Sequence, residues 1–152
     1  MDFYKCKNLE NINLFNFNTQ NVTDMSGMFQ FCEKLAKIDL SNFNNQKVIK
    51  MQNMFSDCIS LTNINICNFN TKNVTDMSGM FKFCQKLTDL DLTSYNTENV
   101  TNMSWIFNEC NNLTNLNIPS FNTKNVIDMT SMFNLCILIL QMLIYPILIL
   151  KM

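Results

Sequence analysis

The chain contains no histidine and no arginine, and only two glycines and two prolines among its 152 residues. Without histidine it lacks the side chain that most often acts as a general base, and two glycines cannot supply a glycine-rich phosphate loop. Without arginine it lacks the guanidinium group that reads guanine, and twelve acidic residues balance its eleven lysines. This composition argues against both an enzyme and a nucleic-acid-binding protein.

Six of the seven cysteines recur at one constant interval, at positions 6, 32, 58, 84, 110 and 136. Such a period predicts a repeat protein in which each unit buries its apolar face only against its neighbour. Equivalent cysteines would then lie about 4.8 Å apart, the spacing of adjacent strands, and we expect them to form a buried strip. Sequential disulfides are the alternative, and metal binding is disfavoured because the chain has no histidine and no CxxC pair. Cys67 lies outside this column and is expected to be an exposed thiol.

Each unit contains an alternating apolar segment, which is typical of a strand with one buried face. Its members are Leu9, Ile12 and Leu14; Leu35, Ile38 and Leu40; Leu61, Ile64 and Ile66; Leu87, Leu90 and Leu92; and Leu113, Leu116 and Ile118. Repeated side by side, these strands would make a parallel sheet. A polar corner of the type NTKN follows, and its Asn and Thr side chains are expected to satisfy backbone groups where the chain turns.

The return limb of each unit begins at Val22 or an equivalent valine and continues with methionines at a spacing of three. This spacing predicts short helical or 3₁₀ segments, with Asp24 and its equivalents near the N-cap. The methionines are expected to fill the interior rather than to bind copper or haem. Calcium binding at Asp24, Asp76 and Asp128 is disfavoured because Lys50 and Asn102 occupy the same position. Gly27 and Gly79 share their position with Asn53, Trp105 and Ser131, so we expect no conformation reserved for glycine there.

The sequence therefore predicts an α/β solenoid over residues 1–136, with about five to six coils and a start in mid-repeat, followed by an off-pattern apolar tail over 137–152. The tail is shorter than the ~20 residues of a transmembrane helix and contains Gln141 and Pro146. Read with codons displaced by one nucleotide, the segment from Ile139 can spell LTNVNIPNLNTKNV, which matches LTNLNIPSFNTKNV at 113–126. We interpret the tail as frameshifted repeat sequence, with a poorly made membrane anchor as the alternative.

The motif MFxxCxxLxxLxLxxFNTxNVTxMSxM, with MSGMFKFCQKLTDLDL at 77–92 as its fullest example, resembles the bacterial surface leucine-rich-repeat proteins of the BspA-like type. The resemblance is to the branch catalogued as domain of unknown function 285 and covers residues 1–136. It implies a right-handed leucine-rich-repeat-like coil with a parallel sheet on one face. It also implies an adhesin or variable surface antigen that is secreted or lipid-anchored at the cell surface.

Residues that alternate with the buried ones on the predicted strands form two exposed polar columns, which we call the strand face. Long polar columns on a solenoid are common binding surfaces for extended partners, although asparagine ladders can also serve only to bond the stack. A protein or glycan partner fits this neutral polar face better than a phosphate-rich one. The candidate binding residues are Asn11, Asn13, Lys37, Asp39, Asn63, Asn65, Asp89, Asp91, Asn115 and Asn117.

The function predicted is a non-enzymatic binding scaffold, without cofactor, metal or small-molecule substrate. The alternative is a truncated or frameshifted product without an independent role, and a third interpretation, a cytoplasmic scaffold, would require capped ends. No signal peptide precedes the first unit, so the chain as written would be cytoplasmic, whereas the resemblance implies the cell surface.

Overall fold

The computed structural model describes residues 2–118 and 121–139. It contains four strands of three residues each: β1 (Lys37–Asp39), β2 (Asn63–Asn65), β3 (Asp89–Asp91) and β4 (Asn115–Asn117). β1 pairs with β2 and β3 pairs with β4, both in parallel. In each pair the partners are separated by one repeat period, as in the pairing of Ile38 with Ile64. Four of the five predicted strands form, whereas the segment of Leu9, Ile12 and Leu14 is not a strand.

The return limbs of neighbouring units are also joined by their backbones. The amide of Phe29 donates to the carbonyl of Met54, and that of Phe55 donates to the carbonyl of Met80, both at 2.9 Å. A row of parallel bridges links Asp24, Lys50, Asp76, Asn102 and Asp128. Residues one repeat period apart are therefore neighbours on both limbs. The further classification as one right-handed leucine-rich-repeat coil stays a prediction.

The core consists of columns of identical or similar side chains. The rings of Phe29, Phe55 and Phe81 stack nearly parallel, with centroids 5.6 and 5.7 Å apart. Of the predicted interior methionines, Met129 alone is substantially exposed, at 45%. Met129 belongs to the last described unit, whereas the equivalent methionines Met25, Met51, Met77 and Met103 are buried.

The return limb consists of single turns instead of the predicted helical segments. Each turn is closed by a bond between residues three apart, such as the amide of Cys32 to the carbonyl of Phe29 at 3.1 Å. The turns cannot continue into a helix because two residues in every unit adopt left-handed backbone conformations. In the described residues, helical backbone occurs only at 137–139.

The first left-handed position is the one shared by the two glycines. All five residues there have φ between 53° and 62°: Gly27, Asn53, Gly79, Trp105 and Ser131. The site does accept residues other than glycine, as expected, but it holds them in a conformation that costs an L-residue ~1–2 kcal/mol. The second position has φ between 57° and 62° and comprises Lys5, Phe31, Asp57, Phe83, Glu109 and Leu135.

The units are of two alternating types. Segments 25–40 and 77–92, here called A units, share MSGMF and KLxxxDL; segments 51–66 and 103–118, here called B units, share LTNxNI. Each two-stranded sheet joins an A unit to the following B unit, whereas β2 and β3 belong to separate sheets. The threonine of the B unit reinforces this junction, since the Oγ1 of Thr62 donates to the carbonyl of Ala36 at 3.0 Å. The predicted parallel sheet is thus divided into two-unit blocks.

Candidate functional site

The strand face lies where the sequence places it. β1 and β3 show an exposed–buried–exposed pattern, so that Lys37 and Asp39 flank buried Ile38, and Asp89 and Asp91 flank buried Leu90. Asn63, Asn115 and Asn117 are likewise exposed, whereas Asn65 is half-buried. Asn11 and Asn13 are exposed on either side of Ile12, outside any strand.

The parallel register brings these polar side chains together in pairs. Asp39 lies beside Asn65 and Asp91 beside Asn117 in the two sheets. The Nδ2 of Asn115 donates to the Oδ1 of Asp89 across the second sheet. Three of the four pairs thus join an amide of a B unit to a carboxylate of an A unit, and in the fourth Asn63 lies beside Lys37.

Hydrogen bonds lower the pKa of two carboxyl groups on the strand face, those of Asp39 and Asp89. The amide of Ser41 donates to the Oδ1 of Asp39 at 2.9 Å and lowers the pKa of that carboxyl below its ordinary value. The pKa of Asp89 is lowered chiefly by the hydroxyl of Thr88 and then by Asn115. The strand face carries three carboxylates and one ammonium group. It therefore presents hydrogen-bond acceptors to a partner and disfavours anionic partners.

Two shallow hollows lie on the strand face. One, of about 450 Å³, spans Asn11 to Asn65 and is lined by both polar columns with Ile12 and Ile38 at its base. The other, of about 410 Å³, lies over β3 and β4. Their shape suits an extended chain laid across the strands better than a small compact ligand.

A further concavity lies on the return limbs, and the sequence did not predict it. This return-limb groove has a volume of about 580 Å³, and its lining includes Phe31, Asp57, Phe83 and Trp105. Trp105 is 44% exposed, and the Nζ of Lys82 lies 3.9 Å from the centroid of its ring. The signal in the sequence was Trp105 itself, since it is the one tryptophan and occupies a position that is glycine in the A units.

Asp24 and its equivalents stabilise turns through side-chain hydrogen bonds. These are the aspartates that the sequence disfavoured as calcium ligands. The Oδ1 of Asp24 accepts the amide of Ser26 at 2.8 Å, and Asp76 and Asp128 bond the residue two positions on in the same way. The hydroxyl of Ser26 lowers the pKa of Asp24. These aspartates thus cap the backbone as predicted, but a turn follows each of them instead of a helix. Among residues 2–118 and 121–139, no three His, Cys, Asp or Glu side chains come together as a metal site would require.

The polar corners behave as predicted. The Oγ1 of Thr71 donates to the carbonyl of Asn96 at 2.9 Å and accepts the amide of the same residue at 2.7 Å. The threonines at 19 and 97 make the equivalent pair of bonds to the next unit, as does the side chain of Asn45. Each corner therefore satisfies the backbone of its neighbour.

All seven cysteines are free thiols, and the predicted strip is buried from Cys32 to Cys136, with Cys6 exposed at its start. From Cys32 to Cys110, each buried thiol donates to the carbonyl of a phenylalanine in the preceding unit, at 3.1 to 3.3 Å. Burial raises the pKa of Cys32 to about 11. Cys67 is exposed, as predicted.

Within residues 2–118 and 121–139, no helix has the length and apolar composition of a membrane span. Residues 140–152, which carry most of the predicted tail, lie outside the described residues.

Comparison with known proteins adds one finding. No curated protein matches the chain. The profile of one family, described as Mycoplasma protein of unknown function, DUF285, matches residues 1–90 and again 81–142. Since these matches together cover most of the chain, the protein belongs to the DUF285 family.

Proposed function

We propose that this protein is a non-enzymatic binding scaffold that holds a protein or glycan partner on its strand face. The observation that carries the proposal is the register of the exposed columns, in which Asp39 pairs with Asn65 and Asp91 with Asn117. A regular array of carboxylates and amides can hydrogen-bond successive groups of an extended partner. Phosphate-rich partners are disfavoured by the excess of carboxylates on this face.

The proposal includes an architecture, a right-handed leucine-rich-repeat-like solenoid of the BspA-like type. It is supported by the parallel pairing of equivalent residues on both limbs of the unit. In such a coil the strand face would extend by one strand spacing with each unit, about 4.8 Å. The length of partner that can be held would then be set by the number of units.

The absence of enzymatic activity is also part of the proposal. Asp39 has an acidic equivalent two units away in Asp91, and the position of Asp89 is polar in every other unit. Repetition of this kind is typical of residues that serve a fold or an extended contact, whereas catalysis requires a unique local constellation.

We place the protein at the cell surface, as an adhesin-like or antigen-like module, on the resemblance to BspA-like proteins. The second candidate is a frameshifted or truncated fragment without an independent function. It is favoured by residues 137–152, where the repeat pattern gives way to an almost wholly apolar stretch. The nucleotide sequence separates the two, because a one-base shift near codons 134 to 139 should restore the repeat only if the tail is frameshifted.

The binding proposal is tested with the full chain on an array of immobilised neutral glycans and extended polypeptides. The double variant Asp39→Ala, Asp91→Ala should lose at least tenfold in affinity for the bound array members. The matched control, Glu98→Ala with Lys124→Ala, changes exposed charges at the corners and should bind as the parent does. Equal binding by both double variants would overturn the strand face as the site.

A further inference from the structure

The return-limb groove carries a pattern of its own, distinct from the strand face. In the four central units the second left-handed position alternates between aromatic and acidic side chains: Phe31, Asp57, Phe83 and Glu109. The first three of these residues line the groove. All four side chains are half-buried, so each is anchored in the unit and still presents a surface. The left-handed backbone places them at equivalent points of successive turns, with closely similar φ angles of 57° to 62°.

A second row of residues, which includes Asn53 and Gly79, lies beside the first. Gly79 has no side chain, and the Oδ1 of Asn53 occupies the space that a Cβ would take. Next in this row is Trp105, whose indole ring lies under the ammonium of Lys82. The same ammonium is 5.0 Å from the centroid of the Phe83 ring, so Lys82 orients both aromatic groups. The groove thus combines aromatic surfaces with carboxylate, amide and hydroxyl groups.

The spacing of these groups limits the ligand. One unit advances the stack by about 4.8 Å, so aromatic side chains recur every ~10 Å with a carboxylate between them. An extended peptide repeats its side chains every ~7 Å on one face, and this repeat does not match the ~10 Å spacing of the aromatic side chains. A nucleic acid would bring phosphates against the carboxylate of Asp57.

A β-1,4-linked glycan fits both the spacing and the chemistry. Each pyranose ring advances such a chain by close to one strand spacing, and successive rings are turned over, so the same face recurs at every second ring. The apolar face of a sugar ring packs on an aromatic side chain, while its hydroxyls donate to carboxylates and amides. We propose that the return-limb groove binds a neutral β-1,4-linked oligosaccharide that lies along the stack, with Phe31 and Phe83 under alternate rings and Asp57 bonding the ring between them. This site is independent of the strand face and extends the proposed function.

Trp105 makes the test direct, because it is the chain's one tryptophan and lies in the groove. Titration of the full chain with chitohexaose or cellohexaose should produce a saturable change in its fluorescence. Two substitutions keep the left-handed backbone, since asparagine tolerates that conformation: Phe83→Asn and Asp57→Asn. Each should weaken binding at least tenfold while circular dichroism remains that of the parent.

The control is Glu98→Ala at an exposed corner, outside both the groove and the strand face, which should leave the titration unchanged. A full chain that gives no saturable signal with either hexasaccharide would overturn the proposal. So would binding that both asparagine variants retain. Loss of binding in Asp91→Ala alone would also overturn it and would place the sugar on the strand face instead.

Discussion

Leu61 offers the sharpest test of the inward-facing columns. Its side chain is fully buried, as are those of the equivalent residues Leu35 and Leu87 in the neighbouring units. Replacing Leu61 with alanine removes most of a side chain from a position that has a neighbouring unit on both sides. The surroundings cannot collapse fully into the space, so the free energy of unfolding should fall by ~2–5 kcal/mol.

This loss is large for a chain of 152 residues. At about 2–4 °C for each kcal/mol, the midpoint of thermal unfolding should fall by roughly 4 to 20 °C. Urea and thermal unfolding of Leu61→Ala, followed by far-ultraviolet circular dichroism, measure both quantities. The two methods should agree if the units unfold together.

Ile59 provides a matched control only two positions away. It is 37% exposed and lies outside the buried column. Ile59→Ala should therefore cost about 1 kcal/mol or less, because much of its surface already contacts water. Equal losses for Leu61→Ala and Ile59→Ala would refute the assignment of inside and outside on which the strand face depends.

Three further predictions concern the backbone, the thiols and acid. Gly79→Ala should lower the urea midpoint more than Gly27→Ala. A Cβ at position 79 collides with the Oδ1 of Asn53, whereas a Cβ at position 27 meets the flexible end of Gln30 at 3.2 Å. Equal midpoints for the two variants would contradict this. Of the seven thiols, the exposed Cys6 and Cys67 should react with Ellman's reagent in the native protein and the other five only after unfolding; a third fast thiol would count against the buried column. Because the pKa of Asp39 is lower in the folded than in the unfolded chain, its contribution is present above pH ~3.8 and is lost on acidification. Asp39→Asn should therefore lose less in melting temperature than the parent between pH 6 and pH 3, and an identical loss would show that this carboxylate makes no contribution.

The neighbour relations of the fold could be predicted from the sequence because the period is constant. Once units have equal length, Cys58 must lie beside Cys32 and Cys84, and Ile38 beside Ile64. The alternation of apolar and polar residues then assigns a side to each strand position, which placed Lys37 and Asp39 on the outer face correctly. The corner threonines were predictable for the same reason, since a buried turn must satisfy its backbone groups.

The left-handed positions could not be predicted in this way. Phe31 and Trp105 have no intrinsic preference for that conformation, and only the contacts of neighbouring units hold them there. A signal did exist for the two-unit blocks, since MSGMF occurs at 25–29 and again two units later at 77–81, but a search for the single-unit period averages it away. The bonds from thiols to phenylalanine carbonyls of the preceding unit depend on the offset between neighbouring turns, which no residue pattern contains.

The residue pattern alone shows which residues lie next to one another and which of them face inward, because equal-length units and an alternating pattern allow one consistent arrangement. How each unit turns, where the strands pair and which outward side chains share a concavity became known only from the folded chain. Those features depend on backbone angles that neighbouring units impose on each other. The strand face was therefore visible in the sequence, whereas the groove between Phe31 and Trp105 appeared only when the turns were placed in space.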